Sequence, residues 1–414
     1  MFTGLLVLFT ILLFWQFLGY PLFMALIYKK RKRRLSDKDY SHQPFISVIV
    51  PAYNEEQVIK RRIENLLSQD YPKDKFEIII VDSGSTDYTL KIAKDFEKNN
   101  SNVRVLEEGV RKGKASAINL GKSYAKREII LVTDANYIFE KNVLKEIAPH
   151  FRNPKIGAVG GRFILSNVES KLVRVSSFYW EIESLARRGE SALDSACLFH
   201  GEINAWRKGI VEADTNSLAE DLDMSIKIRR QGYKIVYESN AVAYEAGPIT
   251  KREQIVQKKR ATIGTIQSLF KHKRYLWLPK DKYSGLIFPS HKTLQILSPY
   301  LLLGALAMFI TLLSLGEFFV SSVYFLAIGA LFPLSLTLLS RELSGIRITH
   351  NPLVKASLPN DLLNILSYVL LHEYIILLAW KDFAFGNYSV IWQKAESTRD
   401  SKEPGVRLSG GRKA

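Results

Sequence analysis

The sequence has almost no cysteine, since Cys197 is the only one among its 414 residues. A single thiol excludes an intramolecular disulfide and any zinc site built from several cysteines, and it fits a reducing cytoplasm without requiring one. Repeats of solenoid period are also absent, and the only low-complexity stretch is the polar end, residues 397–414. The chain is therefore neither a disulfide scaffold nor a repeat protein, and it is long enough for one large domain or two ordinary ones.

A P-loop is absent as well. The run Arg111-Lys112-Gly113-Lys114 superficially resembles one, but Gly109 lies too close to Gly113. Ala115 also occupies the position of the required Ser or Thr. This excludes the P-loop class of nucleotide-binding proteins.

The strong positive charge comes without a recognised nucleic-acid-binding module. The formal net charge is +17, but much of the excess lies beside long apolar runs. Basic residues in such places set membrane topology and contact anionic lipid. We therefore expect membrane lipids, and not nucleic acid, as partners.

Charged side chains are missing from the first 28 residues, Met1 to Tyr28, and six basic residues follow at Lys29 to Arg34. About 20 apolar residues are enough to cross a bilayer core. A secretory signal peptide would have its basic residues before the apolar run, so this order predicts a retained anchor, residues 1–28, with its C-terminal flank in the cytoplasm.

Two further uncharged runs predict a transmembrane hairpin at residues 293–340. Thr293 to Gly316 and Phe318 to Ser340 are separated by Glu317 alone. The basic residues that follow agree with a return to the cytoplasm; they are Arg341, Arg347 and Lys355.

A fourth apolar segment, residues 358–380, is ambiguous because His372 and Glu373 fall in its middle. A charge at mid-bilayer costs about 2–4 kcal/mol or more. If the segment spanned, the basic tail after Lys381 would lie outside, against the positive-inside bias. We favour an interfacial or re-entrant helix, and a fourth span with His372 and Glu373 facing other helices is the alternative.

Between the anchors, short apolar runs alternate with helix-length segments such as Glu55 to Gln69 and Thr86 to Glu97. This pattern predicts βαβ units and a mainly parallel sheet, with ligands at the carboxyl ends of the strands. The predicted strands are Phe45 to Val50, Phe76 to Val81, Val103 to Leu106 and Glu128 to Val132.

Four motifs occur in an order that resembles the membrane-bound family 2 glycosyltransferases, the group of hyaluronan, chitin and cellulose synthases and ceramide glucosyltransferase. The resemblance runs from about Phe45 to Ala261. It implies a GT-A fold, Rossmann-like, at residues 45–280. The motifs are Pro51-Ala52-Tyr53-Asn54-Glu55, Val81-Asp82-Ser83-Gly84-Ser85, Thr133-Asp134-Ala135-Asn136 and Ala219-Glu220-Asp221.

The resemblance implies a set of residues that bind the nucleotide-sugar donor. Alone, Asn54 and Glu55 would fit a helix cap, Asp82 an ordinary turn and Lys114 a solvated charge run. The implied donor-binding residues are Pro51, Ala52, Tyr53, Asn54, Glu55, Asp82, Lys114, Asp134, Gln257 and Arg260.

Asp134 and Asn136 match the metal motif of the resembled family, which implies Mg²⁺ or Mn²⁺. Asn136 stands where the family has a second carboxylate. We expect Asn136→Asp to preserve activity or tighten metal binding, while capping of the next turn by Asp134 is the structural alternative.

Asp221 is the predicted catalytic base, because glycosyl transfer requires an acceptor hydroxyl to lose its proton. The resemblance places Glu220 and Gly201 on the acceptor side. Ala219 replaces the family's Thr but leaves both carboxylates in place. Taken alone, an acidic helix start that favours the helix dipole would be the better explanation of Glu220 and Asp221.

The segment Thr250 to Phe270 contains Gln257 and Arg260 and is strongly basic and amphipathic. We predict an interfacial helix at residues 250–276, a role compatible with diphosphate binding by Arg260. Ala261 stands where processive relatives have Trp, so we expect one or a few sugars to be added per acceptor.

The sequence thus predicts an α/β GT-A domain plus α-helical transmembrane segments, in an integral membrane protein of the cell membrane with its catalytic domain in the cytoplasm. The expected activity is inverting hexosyl or N-acetylhexosaminyl transfer from a nucleotide-sugar, a UDP-sugar, to a lipid-linked or glycan acceptor. The alternatives are a processive polysaccharide synthase and a catalytically inactive membrane scaffold that binds nucleotide-sugar.

Overall fold

The computed structural model describes residues 1–31, 38–126, 128–167, 170–319, 321–324, 362–390 and 396–399. The strands are β1 Ile46–Ala52, β2 Phe76–Asp82, β3 Val103–Glu107, β4 Ile129–Val132, β5 Ile138–Phe139, β6 Ile156–Leu165, β7 Asn204–Arg207 and β8 Lys234–Glu245. The helices are α1 Phe2–Phe14, α2 Tyr20–Arg31, α3 Ile59–Leu67, α4 Thr89–Asn99, α5 Lys114–Tyr124, α6 Val143–Ile147, α7 Lys171–Leu193, α8 Glu220–Arg230, α9 Lys251–Lys271, α10 Lys273–Leu276, α11 Leu294–Ser314 and α12 Leu362–Ala384.

The eight described strands form one mixed sheet in the order β3-β2-β1-β4-β7-β6-β8-β5. Strands β1 to β4, which coincide with the four predicted runs, are mutually parallel where they pair. The other half departs from the mainly parallel prediction, because β7 is antiparallel to both β4 and β6, and β5 is antiparallel to β8. Strand β7 is only four residues long and β5 only two, so neither has a periodic signal in the sequence.

The central strands are apolar on both faces because helices cover both. Val48 of β1 belongs to a core cluster that contains Ile63 of α3. The next residue, Ile49, belongs to a separate cluster with Ile118 of α5. Successive side chains of a strand point to opposite faces, so the helices between the strands bury each face in turn.

Two described helices are long and apolar enough to cross a membrane by length and composition. The first, Phe2–Arg31, joins α1 and α2 through a π-helical turn, and the second, Tyr283–Ser314, ends with α11. They coincide with the predicted anchor and the first helix of the predicted hairpin. Most of the second hairpin helix and the basic residues after it lie outside the described residues.

The N-terminal helix packs closely on α7 of the central domain. A Cβ at Gly189 would lie 2.2 Å from the Met24 carbonyl oxygen, so only glycine permits this approach. One residue on, Glu190 is fully buried and accepts hydrogen bonds from the Tyr20 hydroxyl at 2.7 Å and the Cys197 backbone amide at 2.8 Å. His291 Nδ1, just before α11, lies 2.5 Å from the same carboxylate. One buried carboxylate therefore joins four separate segments of the chain.

Helix α12 lies along α9. The Tyr368 hydroxyl contacts the Lys258 amine, and Asp382 pairs with Lys259 at 2.5 Å. Glu373 accepts a hydrogen bond from Ser298 of α11 at 2.7 Å. Glu373, in the middle of α12, thus faces another helix, which a membrane-spanning α12 would require. The contacts of Tyr368 and Asp382 with the basic helix α9 instead favour an interfacial α12.

Candidate functional site

The loop after β1 is tied to the loop after β2 by Asn54. Its backbone has a φ of 53°, in the left-handed region. The Asn54 Oδ1 accepts a hydrogen bond from the Thr86 backbone amide at 2.8 Å. Because α3 begins only at Ile59, Asn54 does not cap that helix, and the capping alternative is wrong.

Asp82 lies at the end of β2, and only one of its two carboxylate oxygens has hydrogen-bond partners among the described residues. Its Oδ2 accepts hydrogen bonds from the amides of Gly84 and Ser85 at 3.1 and 3.0 Å, which is the turn expected from the sequence. Its Oδ1 is buried without a hydrogen-bond partner among the described residues. An orphaned buried oxygen is costly, so this carboxylate is suited to accept a hydrogen bond from a ligand.

The remaining residues of the first motif line the same strand ends. Pro51 and Ala52 close β1 beside Val81 and Asp82 of β2. The Tyr53 ring lies under the Arg111 guanidinium, 4.2 Å from its centroid.

Glu55 pairs with Arg399 at 3.0 Å, although the two residues are 344 positions apart. The sequence predicted a polar end from residue 397, but Thr398 and Arg399 are buried against the domain. The glutamate that forms this ion pair lies 344 residues upstream, so no local pattern could have indicated it.

Lys114, the first residue of α5, is enclosed by acidic groups. Its ammonium lies 2.7 Å from Asp134 and 3.2 Å from Glu220, and its side chain is only 16% exposed. Burial alone would lower the pKa of Lys114, but the two carboxylates together raise it above its ordinary value. The solvated-charge alternative is therefore wrong, and Lys114 joins the strand-end loops to the start of α8.

Asp134 and Asn136 follow β4 and supply a carboxylate and an amide. Both oxygens are hard donors of the kind that Mg²⁺ and Mn²⁺ prefer. Groups of three or more His, Cys, Asp or Glu side chains able to hold a metal are absent from the described residues. The donor set therefore fits a divalent cation that takes its other ligands from diphosphate and water.

Behind Asp134 lies Arg62, which is fully buried and donates to the Thr133 hydroxyl at 2.8 Å. Burial lowers the pKa of Arg62, and the negative charge of Asp134 opposes that shift. Sequence reasoning missed Arg62, because on α3 it looks like one of several surface basic residues.

Glu220 and Asp221 begin α8, as predicted, and differ in their electrostatic surroundings. Burial would raise the pKa of Glu220, but Lys114 and Arg260 lower it. Burial and then the neighbouring Glu220 charge raise the pKa of Asp221. A partly buried carboxylate with a raised pKa is a stronger base than an ordinary aspartate, so Asp221 fits a general base.

Helix α9 packs against the start of α8. A Cβ at Gly264 would lie 2.5 Å from the Ala219 Cβ and 2.6 Å from its backbone nitrogen. The small residue at position 219, a departure from the resembled family, therefore lies at a close helix contact. Arg260 lies one turn before this contact, and its positive charge lowers the pKa of Glu220. Gln257 and Ala261 are solvent-exposed.

The loop before β7 also borders the Lys114 side chain. A Cβ at Gly201 would lie 3.5 Å from the Lys114 amine, so the predicted acceptor-side glycine does adjoin the site. His200 Nδ1 lies 2.6 Å from the buried Glu202, and its ring meets Trp180 edge-on at 5.0 Å. His200 and Glu202 were not selected from the sequence, though they flank Gly201.

Glu245 is another residue that sequence reasoning missed. It ends β8, and its Oε1 accepts a hydrogen bond from the Asn136 Nδ2 at 2.6 Å. Burial raises the pKa of Glu245 to about 7. Only the pairing of distant segments brings it to the site, and no motif marks it.

Part of the chain that forms this site is similar in sequence to a known protein family. Residues 47–213 match the family model Glycosyl transferase family 2. The matched stretch is less than half of the chain and is similar to family 2 glycosyltransferase domains. That match covers the strand ends with Asp82, Lys114 and Asp134, and stops before Glu220.

Curated relatives of the chain include a probable glycosyltransferase YdaM of Bacillus subtilis, 30% identical over 53% of this chain and 55% of the relative. A poly-beta-1,6-N-acetyl-D-glucosamine synthase of Staphylococcus epidermidis is 29% identical over 56% of this chain and 60% of the relative. The chain thus spans less than two thirds of the length of these relatives.

The fold is similar to that of a solved mannosyltransferase, PcManGT of Pyrobaculum calidifontis, determined with GDP-Man and Mn²⁺. The TM-score is 0.67 at 24% identity, over 94% of this chain and all of the other. The likeness supports a GT-A-like α/β fold and, at this identity, shows the fold alone.

Proposed function

We propose that the protein is an inverting glycosyltransferase that moves one hexosyl or N-acetylhexosaminyl unit from a UDP-sugar to a lipid-linked acceptor at the cytoplasmic membrane surface. The observation that carries the proposal is the Lys114 ammonium, which joins Asp134 of the strand-end loops to Glu220 beside Asp221. This contact brings the residues expected for donor and acceptor into one site.

In the proposed reaction the acceptor oxygen attacks the anomeric carbon while the bond from that carbon to the diphosphate oxygen breaks. The acceptor proton passes to Asp221, whose raised pKa favours its capture. The nucleoside diphosphate leaves with the electron pair of the broken bond. A single displacement at the anomeric carbon inverts its configuration.

Donor recognition is assigned to the strand ends of the α/β domain. Asp82 offers its unpartnered oxygen to a donor hydroxyl or base amine. Asp134 and Asn136 would hold the divalent cation, which when bound neutralises charge on the leaving diphosphate. Lys114 and Arg260 supply fixed positive charge beside Glu220.

The acceptor is assigned to the membrane because two described helices are long and apolar enough to cross it and because α9 is basic. Helix α9 contains six lysine and arginine side chains, and Arg260 of the site is one of them. Such a basic surface favours an acceptor that is held at an anionic membrane. A lipid-linked acceptor would present its hydroxyl next to Asp221 without leaving the bilayer surface.

The test is transfer by purified protein in native lipid, with labelled UDP-glucose, UDP-N-acetylglucosamine and GDP-mannose in parallel. We expect label in a lipid extract with one UDP-sugar and none with Asp221→Asn. Transfer from GDP-mannose alone would contradict the assignment of a UDP-sugar as the donor. Donor binding without transfer or hydrolysis by any of the three would favour the inactive scaffold.

A processive polysaccharide synthase is the second candidate, favoured by the likeness to poly-beta-1,6-N-acetyl-D-glucosamine synthase. Ala261 argues against it, because this exposed position has no aromatic ring on which a growing chain could stack. The length of the product separates the two candidates.

A further inference from the structure

A small cavity lies between the loop that leads into α8 and the last turns of α9. Its lining includes Asp214, Asn216, Gln267, Ser268, Lys271 and Phe383. Its volume is about 250 Å³. Sites for whole small molecules run from roughly 300 to 1,000 Å³, so this cavity has room for one sugar-sized group and not for a nucleotide.

The cavity shares a wall with the proposed transfer site. Ser217 lines the cavity, and its hydroxyl accepts a hydrogen bond from the Ala219 backbone amide at 3.3 Å. Gln267 Oε1 accepts another from the Leu218 amide at 3.1 Å. A group bound in the cavity would therefore contact the loop that ends two residues before Asp221.

The cavity does not coincide with the part of α9 that carries Arg260. Gln267 and Lys271 follow Arg260 by seven and eleven residues. At 1.5 Å per residue, the cavity lies about 10–16 Å along the helix from Arg260. It adjoins the transfer site from the side away from Arg260.

The wall of the cavity contains a buried hydroxyl, on Ser268, that has no hydrogen-bond partner among the described residues. The residue is 1% exposed. Two other hydroxyls of α9 donate to the carbonyl four residues back, Thr262 to Lys258 at 2.9 Å and Thr265 to Ala261 at 3.0 Å. Buried polar groups are normally paired. Because Ser268 does not use the acceptor that its own helix offers, its hydroxyl is suited to a ligand in the cavity.

The charges on the cavity wall are already balanced, which favours a neutral ligand. Lys271 pairs with Asp214 and, at 2.7 Å, with Asp223. An anion would have to compete with two carboxylates for that ammonium. The amides of Asn216 and Gln267 carry no charge and can both donate and accept hydrogen bonds. Such groups match the hydroxyls of a sugar.

Phe383 gives the cavity one apolar wall. Its ring is stacked with Phe270 at 5.6 Å between centroids and with Tyr388 at 6.2 Å, with planes 12° and 9° apart. A sugar ring has an apolar C–H face and a rim of hydroxyls, so it can use an aromatic wall and polar groups together. A phosphate group has no apolar face to place there.

We propose that this cavity is a saccharide subsite that holds a sugar already present in the acceptor. Its hydroxyls would bond to Ser268 and the two amides, and its C–H face would lie on Phe383. The inference rests on the proposed function and narrows the acceptor to a lipid that already carries a glycan. The sugar in the cavity is bound and not chemically changed, while transfer takes place at Asp221.

The test measures binding of glucose, N-acetylglucosamine and mannose to the full-length protein by saturation-transfer NMR, with UDP added to occupy the donor site. We expect at least one of these sugars to bind. Asn216→Trp should abolish the signal, because Asn216 is exposed at the cavity and the larger side chain would fill it. Asn240→Trp is the matched control, since Asn240 is also exposed and lies in β8, outside the cavity lining.

Ser268→Ala removes the hydroxyl without filling the cavity. We expect sugar affinity to fall about 3-fold or more, the effect of one lost hydrogen bond. The melting temperature should not fall, because the hydroxyl has no partner in the described part of the protein to lose. Thr265→Val is the control, since its hydroxyl bonds within α9 and sugar affinity should stay the same. Lower stability of Ser268→Ala with unchanged affinity would overturn the role of Ser268.

The transfer assay separates failure of the subsite from failure of the proposed function. Asn216→Trp should raise the amount of native lipid extract needed for half the maximal rate and leave the KM of the UDP-sugar unchanged. If wild type transfers sugar and Asn216→Trp behaves identically, the subsite is wrong and the proposed function stands. If a sugar binds in the cavity but no labelled donor is transferred, the proposed function fails and the acceptor role fails with it. Displacement of the bound sugar by inorganic phosphate would overturn the assignment of a neutral ligand.

Discussion

At the scale of single residues, the adjacent carboxylates Glu220 and Asp221 have opposite electrostatic surroundings. Lys114 and Arg260 stabilise the charge of Glu220, whereas burial and that same charge disfavour ionisation of Asp221. Two neighbouring carboxylates whose pKa values are driven apart can take different roles in one reaction. Asp221 is the one suited to accept a proton.

Asp221→Asn should abolish transfer while leaving donor affinity nearly intact. The amide keeps the shape of the side chain but cannot take the acceptor's proton, and loss of a general base costs about 10²–10⁴-fold in rate. Turnover and nucleotide-sugar affinity should be measured on the same preparation. Retention of more than a few per cent of wild-type turnover would assign the base elsewhere.

The rate should depend on pH through the same residue. Asp221 works when deprotonated, so transfer should rise with pH and reach half its maximum above the ordinary aspartate pKa of about 3.9. Glu220→Gln removes a negative neighbour, which should move that midpoint to lower pH. Glu212→Gln, a surface partner of Lys122, serves as control and should leave the midpoint in place. An unmoved midpoint in Glu220→Gln would contradict the coupling.

Residues that follow strands could be predicted from the sequence, because the carboxyl ends of parallel strands meet at one edge. Asp82 and Asp134 are in this class, whereas Lys114 was predicted from the family resemblance. Glu245 and Arg399 could not, since each reaches the site from a segment far along the chain whose pairing no local pattern reveals. Arg62 was missed for a different reason, because on α3 it looks like one of several surface basic residues.

At the scale of elements, the contact between α8 and α9 controls the position of Asp221. Gly264 lets α9 approach the backbone of Ala219, directly before Glu220 and Asp221. The sequence located both helices, because a basic amphipathic run and an acidic helix start are strong signals. It did not reveal how closely they pack.

Gly264→Ala should therefore impair both stability and transfer. Its Cβ would lie 2.5 Å from the Ala219 Cβ, so the helices must separate, and such overpacking costs about 1–3 kcal/mol. Melting temperature and turnover report the two effects. Gly4→Ala is the control, since a Cβ there meets nothing within 4 Å. Equal behaviour of the two variants would argue against a tight α8–α9 contact.

At the scale of the whole molecule, the last described residues of the chain contact the α/β domain. Arg399 pairs with Glu55, and Asp382 of α12 pairs with Lys259 of α9. Both contacts agree with a cytoplasmic tail and with an interfacial α12. The membrane topology itself stays a prediction.

Cysteine labelling can decide the topology. In a Cys197→Ser background, single cysteines at Lys30, Ser344 and Ser401 should all react only from the cytoplasmic face, because basic flanks favour that side. Intact cells and inverted vesicles give the two faces. Labelling of position 401 from outside would mean that α12 spans.

Product size tests the role of Ala261. We expect a discrete lipid with one or a few sugars, because alanine offers no aromatic face to hold a growing chain beside Asp221. Mass spectrometry of the extracted product gives the chain length. A long homopolymer from the unmodified enzyme would favour the processive candidate, with an exposed aromatic such as Trp277 as the stacking residue; Trp206 is fully buried and is excluded from that role.

The buried carboxylate of Glu190 ties the N-terminal helix to the rest of the protein. It is shared by Tyr20 of the N-terminal helix, by His291 ahead of α11, and by the backbone of Cys197, four residues before Gly201. Cutting away residues 1–31 would remove one donor and expose the Gly189 groove that receives Met24. The N-terminal helix therefore packs as part of the fold, and we expect the α/β domain to be destabilised when residues 1–31 are removed.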